Sequence, residues 1–399
     1  MSVNTMTFEQ SAAFLTDLYE EATGKQLTLQ IANTADFTSV ATITLQLGRD
    51  PVMNALGQVL TKTIFSNRPY SQKFKSLQVD AEKWGAIVRK INYVDKDLDT
   101  TDNRMTLTDG QSIDQYKVKK PEPLQTNFYG AHMYSDHITI FRDQLDNAFK
   151  DASSFGAFMA GVIQNIQDKL TQIKEAEARS ILINMIATKA SHDTANYINI
   201  LQKYYDETGV TLTPATMFDT TNFTAFSRWL VGYIDTLMDN MSERSIDYHM
   251  NIAAKPLMRH TPAQFMRRYI SANIANQIDT AVASNLYNEE KITKILKGAE
   301  RVVFWQNKQT PNSIKATPAY LDTSDGSVKT ESTPVAVENI VACLFDEEAV
   351  GMTTMNEWSA PSPFNADGGY YNMFWHFTQR TWNDFTENFV VLYAGTVTP

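Results

Sequence analysis

The stretch from residue 155 to residue 185 reads FGAFMAGVIQNIQDKLTQIKEAEARSILINM, and it decides the fold more than any other part of the chain. Its apolar residues recur every three or four positions, which is the spacing along one side of an α-helix. They are Phe155, Met159, Val162, Ile166, Leu170, Ile173, Ile181 and Met185. No proline occurs between Gln125 and Thr213, so nothing in that window interrupts a helix. The pattern predicts one long helix, with residues 151–154 able to supply its N-cap.

Residues 7–60 predict two short helices with a strand-prone stretch between them. Residues 7–23 predict an amphipathic helix that Thr7 caps and Gly24 ends. Residues 38–47 have strand tendency because they are rich in β-branched side chains, and residues 51–60 predict a second short helix. Neither helix has enough apolar surface for a core of its own, so we expect both to lie on other elements.

Residues 77–141 predict an extended β region, because apolar and polar side chains alternate there. The strand candidates lie at 87–93, 105–107, 116–118 and 138–140. A charged stretch at 95–103 separates the first two candidates. This order predicts a long, exposed hairpin.

The chain after the long helix predicts a mixed lobe at 191–339 and an aromatic return segment at 337–393. The lobe has helix patterns at 222–240 and 262–288, a strand at 301–305 and a polar hairpin at 322–327. The return segment ends in a strand at 389–393, and its aromatic residues predict core and subunit interface.

Composition excludes several classes of protein. The chain has 399 residues, 43% of them hydrophobic and 20% charged, which is typical of a folded protein with more than one lobe. Its net charge of −10 disfavours a dedicated nucleic-acid binder. The single cysteine, Cys343, lies in an apolar run and predicts a buried thiol in a reducing compartment. No run is apolar enough to predict a membrane span, and the start of the chain does not resemble a signal peptide.

Two acidic or histidine-containing patterns suggest metal sites, but their spacing argues against both. Asp95, Asp97 and Asp99 resemble the start of a calcium loop, whereas Thr106 occupies the position where such a loop needs a bidentate glutamate. We therefore expect a solvated loop tip. His132, Asp136 and His137 have the right chemistry for a metal, but strand alternation would place His137 on the opposite face from the other two.

Catalytic and nucleotide-binding patterns are equally weak. Ser191, His192 and Asp193 are consecutive and cannot form a hydrolytic relay, so a polar loop is expected. The glycine pair at 368–369 lacks the spacing of a phosphate-binding loop, and Arg267 with Arg268 predicts a helix surface that forms ion pairs.

Several phrases of the sequence resemble the major capsid proteins of tailed bacteriophages. YSDHITIFRDQL at 134–145 resembles the turn from the E-loop into the spine helix of those proteins. PFNA at 363–366, FWHF at 374–377 and WNDFTEN at 382–388 are similar to capsid proteins of short-tailed phages with small heads. The order of elements is similar to that of the Hong Kong 97 fold.

This resemblance implies an α+β chain with a Hong Kong 97-type division into parts. An N-terminal arm covers residues 1–62, and an E-loop region covers 63–135. The P-domain with its spine helix covers 136–190, and the inserted A-domain covers 191–339. Residues 340–399 return to supply strands to the P-domain and the A-domain.

The resemblance also implies a function without catalysis or a cofactor. It implies a structural major capsid protein that self-assembles as pentamers and hexamers into an icosahedral shell around a double-stranded DNA genome. Scaffolding, portal and decoration proteins are further expected partners, and contact with packaged DNA would not be sequence-specific. We expect assembly in the host cytoplasm, a final place in the virion and no membrane partner.

The sequence leaves two alternative functions open and also predicts which residues contact neighbouring subunits. One alternative is a tail or connector subunit. The other is a cytosolic enzyme with a dispersed site at His132, Asp136 or His249. The residues that we predict to contact neighbouring subunits are Phe8, Leu15, Tyr19, Tyr93, Asp95, Asp97, Asp99, Arg104, Lys117, Trp375 and Trp382.

Overall fold

The computed structural model of the chain describes most of its residues and divides them into two compact units. The described residues are 7–27, 30–47, 51–52, 55–56, 73–79, 88–94, 107–112, 116, 118–128, 130–144, 152–253, 255–284 and 298–398. Unit 1 comprises Met1–Trp84, Gly130–Glu177 and Met352–Arg380. Unit 2 comprises Gly85–Tyr129, Ala178–Gly351 and Thr381–Pro399.

The helices and strands alternate along the described chain in a mixed order. The helices are α1 (Phe8–Thr23), α2 (Thr34–Gln46), α3 (Ala152–His192), α4 (Ile200–Thr208), α5 (Thr220–Ser242) and α6 (Ala272–Ser284). Residues 51–52, 55–56 and 142–144 are also helical. The strands are β1 (Val88–Tyr93), β2 (Pro123–Phe128), β3 (His132–Phe141), β4 (Tyr197–Asn199), β5 (Met266–Ser271), β6 (Glu300–Val302), β7 (Ile314–Ala316), β8 (Ala319–Leu321), β9 (Val328–Thr330), β10 (Val335–Val337), β11 (Ile340–Asp346), β12 (Val350–Pro361), β13 (Tyr370–Asn383) and β14 (Phe389–Tyr393).

Unit 2 is built around a five-stranded sheet with the order β4-β14-β11-β5-β6. The central strand β11 runs antiparallel to β14 and β5, whereas β4 and β6 run parallel to their neighbours. Every residue of β11 is buried, which explains why its sequence is a continuous apolar run. Helices α4, α5 and α6 share one hydrophobic cluster with β5, β11 and β14. Cys343 lies in this sheet and is fully buried, as predicted, and burial raises the pKa of its thiol.

Unit 1 is built on a three-stranded sheet with the order β12-β13-β3. Strands β13 and β3 are antiparallel, in a register that extends from Tyr370 opposite Phe141 to Gln379 opposite His132. Alternate residues of β13, among them Met373 and Trp375, are buried in a cluster with residues of α1, α2 and α3.

The strongest local signals of the sequence are confirmed. Helix α1 begins after Thr7, whose side chain and that of Gln10 form a capping box, and it ends at Gly24 with a left-handed φ of 66°. Helix α3 is a single helix of 41 residues and contributes to both units. The hairpin of β8 and β9 encloses the predicted polar turn.

The predicted strand at 38–47 is wrong, because this segment is the helix α2. Asn33 caps the helix by accepting hydrogen bonds from the backbone N–H groups of Ala35 and Asp36. The hydroxyl groups of Thr38, Thr42 and Thr44 donate to carbonyl groups one turn earlier, at 2.7–2.8 Å. These bonds and the burial of one side of the helix outweigh the strand preference of β-branched residues.

The predicted helix at 262–288 is only partly correct, because its first half is the strand β5. This strand pairs with β11 on one side and β6 on the other, so partners distant in sequence outweigh the local helical pattern. Arg267 and Arg268 therefore lie in a strand and not on a helix surface. Arg267 forms an ion pair with Glu347 at 2.5 Å.

The predicted strands around Leu107 and at 116–118 are also wrong where the structure describes them. Leu107, Tyr116 and Val118 lie outside strands, and β1 pairs instead with β2. A hairpin is present, but its connection spans residues 94–122. The predicted tip at 95–103 lies outside the described residues.

Gly351 and Trp382 provide a test of the packing in unit 2. A Cβ atom on Gly351 would overlap the Trp382 indole ring, with Cε2 only 2.6 Å away. We expect Gly351→Ala to lower the free energy of unfolding by about 1–3 kcal/mol, measured by chemical denaturation. Gly232 is the control, because a Cβ there meets nothing within 4 Å and alanine favours the helix. An equal loss in Gly232→Ala would contradict the packing argument.

Candidate assembly surfaces

The first candidate surface is the two-stranded sheet of β1 and β2, which we call the ribbon. Its register runs from Val88 opposite Phe128 to Tyr93 opposite Pro123. Because side chains alternate across a strand, Ile91 and Tyr93 share one face of the ribbon. Ile91 is 58% exposed there, and Tyr93 is 63% exposed. Two large apolar side chains side by side in solvent are typical of an interaction surface.

The other face of the ribbon carries Lys90, which contacts three carboxylates. Its Nζ atom lies 3.0 Å from Oδ2 of Asp384 and 2.7 Å from Oε2 of Glu348, and it also pairs with Glu387. The Asp384 and Glu387 side chains are almost fully buried. Ion pairs shielded from water in this way are screened less by salt than pairs at the surface.

A second cation, Arg259, joins the same group. One of its terminal nitrogens lies 3.0 Å from Oε1 of Glu387, and another donates to Oδ1 of Asn92 at 3.1 Å. Its Nε donates to the backbone carbonyl of Thr386 at 2.9 Å. We call Lys90, Arg259, Glu348, Asp384 and Glu387 the ionic cluster.

The charges of the ionic cluster shift one another's proton affinity. Burial lowers the pKa of Lys90, but the carboxylates of Asp384 and Glu387 raise it more, so the pKa lies above its ordinary value. Burial raises the pKa of Glu387, and nearby Asp384 adds to this rise while Lys90 and Arg259 oppose it. Lys90 is therefore held firmly as a cation, and its removal would leave negative charge in excess.

The second candidate surface is the side of the β3–β13 pair that faces away from the unit 1 core, which we call the outer face. Its side chains are Met133, Ser135, His137, Thr139, Phe141, Tyr370, Asn372, Phe374, His376 and Thr378. No aspartate, glutamate, lysine or arginine is among these ten, although 20% of the chain is charged.

Aromatic rings dominate the outer face. Trp358, on β12, stacks on His376 with ring centroids 4.1 Å apart, and it is 46% exposed. The ring centroids of Phe374 and His137 are 5.4 Å apart. Met133, on the same face, is 84% exposed. A surface of this composition resembles the core of a protein interface more than ordinary protein surface.

The structure places the other predicted contact residues at different depths. Leu15 and Trp375 are buried among side chains of unit 1, whereas Phe8 and Tyr19 are half-buried. The indole N–H of Trp382 donates to the carbonyl of Glu348 at 3.3 Å. Their roles in subunit contacts stay predictions.

The remaining predicted contact residues cannot be placed. Asp95, Asp97, Asp99, Arg104 and Lys117 lie outside the described residues. Sequence reasoning missed the ionic cluster. The sequence feature that could have indicated it is the acidic pair Asp384 and Glu387, which lies in an otherwise apolar and aromatic tail.

The residues predicted as catalytic or metal-binding alternatives have other partners. Burial raises the pKa of Asp136, but the hydrogen bond from Lys169 at 2.7 Å and the backbone N–H of His137 lower it more, so the net shift is downward. His192 stacks on Tyr320 and lies 2.8 Å from Glu331. Among the described residues, no group of three histidine, cysteine or acidic side chains could hold a metal ion.

Ser191 and Asp193 also lack the geometry of a relay. The Ser191 hydroxyl donates to the Ala187 carbonyl at 2.9 Å, and Asp193 pairs with Lys189 at 2.5 Å. Ser191 and His192 belong to the last turn of α3, so the predicted polar loop begins one turn too early.

His249 is buried in unit 2 and is held by hydrogen bonds. Its Nε2 lies 2.7 Å from the carbonyl of Leu257, and its Nδ1 lies 3.1 Å from Oδ1 of Asn388. Burial lowers its pKa and outweighs the opposing effect of these two bonds. These contacts are those of a structural histidine.

Solved phage-head structures have the same fold as this chain. A capsid structure of Staphylococcus phage Andhra matches with a TM-score of 0.52 and 10% identity, over 84% of this chain and 87% of that one. A structure of bacteriophage P68, described as head fiber and inner core protein gp22 of the native phage, matches with a TM-score of 0.54, 10% identity and the same coverage. At this identity the likeness shows the fold alone, which is that of a phage capsid subunit. A comparison with curated proteins gave no match.

The sequence itself gives the family. The model of the Phi29-like phage major capsid protein family matches residues 15–393. The chain therefore belongs to this family, and it is a structural protein of the phage shell and of the virion. In the described part of the chain, no helix is long and apolar enough to cross a membrane.

The pKa of His249 gives a test of its structural role. In the unfolded chain His249 takes up a proton near its ordinary pKa of 6.5, whereas in the folded chain its pKa is lower. The free energy of unfolding therefore falls as the pH drops below about 6.5. We expect urea unfolding between about pH 7.5 and about pH 5.5 to show a smaller loss of stability in His249→Gln than in the original chain.

His260→Gln is the control, because it makes the same substitution at an exposed position. The account of His249 is wrong if His249→Gln and the original chain lose the same stability over this pH range.

Proposed function

We propose that the chain assembles as pentamers and hexamers into an icosahedral shell that encloses a double-stranded DNA genome. The observation that carries this proposal is the uncharged, aromatic outer face. Its exposed apolar and aromatic side chains, among them Met133, Phe141 and Trp358, are stabilised when a second copy covers them. Assembly would take place in the host cytoplasm, and scaffolding, portal and decoration proteins would be further partners.

The ribbon supports the same proposal from another part of the chain. As the root of the E-loop region at 63–135, it would extend over a neighbouring subunit and bury Ile91 and Tyr93. The arm at 1–62 would add a second contact through Phe8 and Tyr19. The P-domain at 136–190, the A-domain at 191–339 and the return segment at 340–399 complete this division of the chain.

The acidic balance of the chain suits a container for DNA. With a net charge of −10, a wall would not hold phosphates tightly, so packaged DNA could slide along it without sequence-specific contacts. The separate partners of Ser191, His192 and Asp193 support a role without catalysis. Electron microscopy of the purified chain tests the proposal: closed shells of uniform size are expected, and rings or tubes alone would contradict it.

A charge on the outer face should block assembly. Phe374→Glu would place a carboxylate beside His137 and His376, where a partner would have to bury it, so we expect soluble folded subunits and few shells in sedimentation. Val328→Glu is the control, because it places the same carboxylate on another apolar strand residue, which is 65% exposed and lies outside the outer face. Normal shells from Phe374→Glu would contradict a role for the outer face.

Removing the apolar side chains of the ribbon should weaken assembly more than folding. Full burial of a large apolar side chain contributes about 1.5–3 kcal/mol. Ile91 and Tyr93 are each a little over half exposed, so the double change to serine should raise the critical concentration for assembly by about tenfold or more. Light scattering measures that concentration, and thermal unfolding of subunits checks the fold. Gln125→Ser, on the same face, is the control, and an unchanged critical concentration in the double variant would exclude the ribbon contact.

A further inference from the structure

Charged and polar side chains connect the ribbon to the rest of unit 2. Lys90 contacts Asp384, Glu348 and Glu387, and Asn92 accepts a hydrogen bond from Arg259. At the far end, Glu122 lies 3.3 Å from Lys255 in an exposed pair. The backbone ladder of the ribbon joins its two strands to each other, as a two-stranded sheet.

The carboxylates under the ribbon have other partners that remain when Lys90 leaves. Oδ1 of Asp384 accepts from the backbone N–H of Thr386 at 2.9 Å and from its hydroxyl at 2.6 Å. Glu387 keeps its ion pair with Arg259 at 3.0 Å. Glu348 is well exposed, so water can replace Lys90 there. Oδ2 of Asp384 loses Lys90 and would be hydrated by the water that enters as the ribbon moves away, so unit 2 can stay folded with the ribbon detached.

We propose that the ionic cluster is a latch, in which charge on Lys90 holds the root of the ribbon against residues 384–387, and loss of that charge frees the ribbon while unit 2 stays folded. The latch is a conformational device that is independent of whether the chain builds shells. It makes the direction of the ribbon depend on local charge, because the held ribbon has the ion pairs of Lys90 and the free ribbon lacks them.

Thiol labelling can measure the latch, because the chain has a single cysteine. Cys343 is fully buried with a raised pKa, so it reacts only when unit 2 unfolds. Thr126 lies opposite Lys90 in the register and shares its face of the ribbon. A cysteine introduced by Thr126→Cys therefore reports release of the ribbon, and Cys343 reports unfolding in the same sample.

In the full-length Thr126→Cys chain, Lys90→Met should raise the labelling rate of the new thiol about tenfold, which corresponds to about 1.4 kcal/mol in the free energy of opening. The rate at Cys343 should not change. Lys90→Arg keeps the charge and should label at the original rate. Sodium chloride at about 1 M should raise the rate by less than Lys90→Met does, because the pairs are partly shielded from salt.

Two controls separate the latch from other causes. Gln125→Cys lies on the opposite, exposed face of the ribbon, and its labelling should not respond to Lys90→Met. Lys255→Met removes only the exposed pair with Glu122 and should leave the Thr126→Cys rate nearly unchanged. An unchanged rate in Lys90→Met would overturn the latch. An equal rise in the labelling rate of Cys343 in Lys90→Met would also overturn it, because the ionic cluster would then support the whole fold of unit 2.

Discussion

The antiparallel register of β13 on β3 determines which side chains of unit 1 are buried and which face solvent. Side chains alternate along a strand, so a shift of one residue would turn Met373 and Trp375 outward and bring Phe374 and His376 inward. Among the described residues, α1, α2 and α3 pack against one side of this sheet. The same alternation that builds the core therefore leaves an outer face rich in rings and without acidic residues, lysine or arginine, and we propose that the chain associates through this face.

The ribbon follows a different physical rule. Its outward face carries two exposed apolar side chains, Ile91 and Tyr93, whereas its inward face is tied to unit 2 by the ionic cluster. Among the described residues, its two strands form a sheet of their own. Apolar burial is non-directional, whereas ion pairs require defined geometry. The outward face would therefore contribute contact area with a neighbour, and the inward face would set the direction in which the ribbon points. A chain that must fit many neighbours in one shell would gain from fixing the direction of its extended part in this way.

The sequence predicted those elements whose causes are local. Helix α3 has an uninterrupted apolar stripe, α1 has a capping box and a terminal glycine, and β11 is a buried apolar run. It failed at α2, where the Asn33 cap, hydroxyl bonds to the preceding turn and burial of one side outweigh the strand preference of β-branched residues. It failed also at β5, where pairing with the distant strand β11 outweighs the local helical pattern. For the same reason the ionic cluster was not foreseen, because Lys90 and Asp384 lie 294 residues apart. The resemblance to phage capsid proteins came from the order of elements, the phrase at 134–145 and phrases of the tail, and not from any chemical motif.

The central claim is that the outer face is covered by another copy of the chain in the assembled particle. A cryo-electron microscopy map of assembled shells, at a resolution that shows side chains, tests this most directly. The account predicts density from a neighbouring subunit against Trp358, Phe374 and His376 in every copy. Closed shells in which these three side chains face solvent would contradict it.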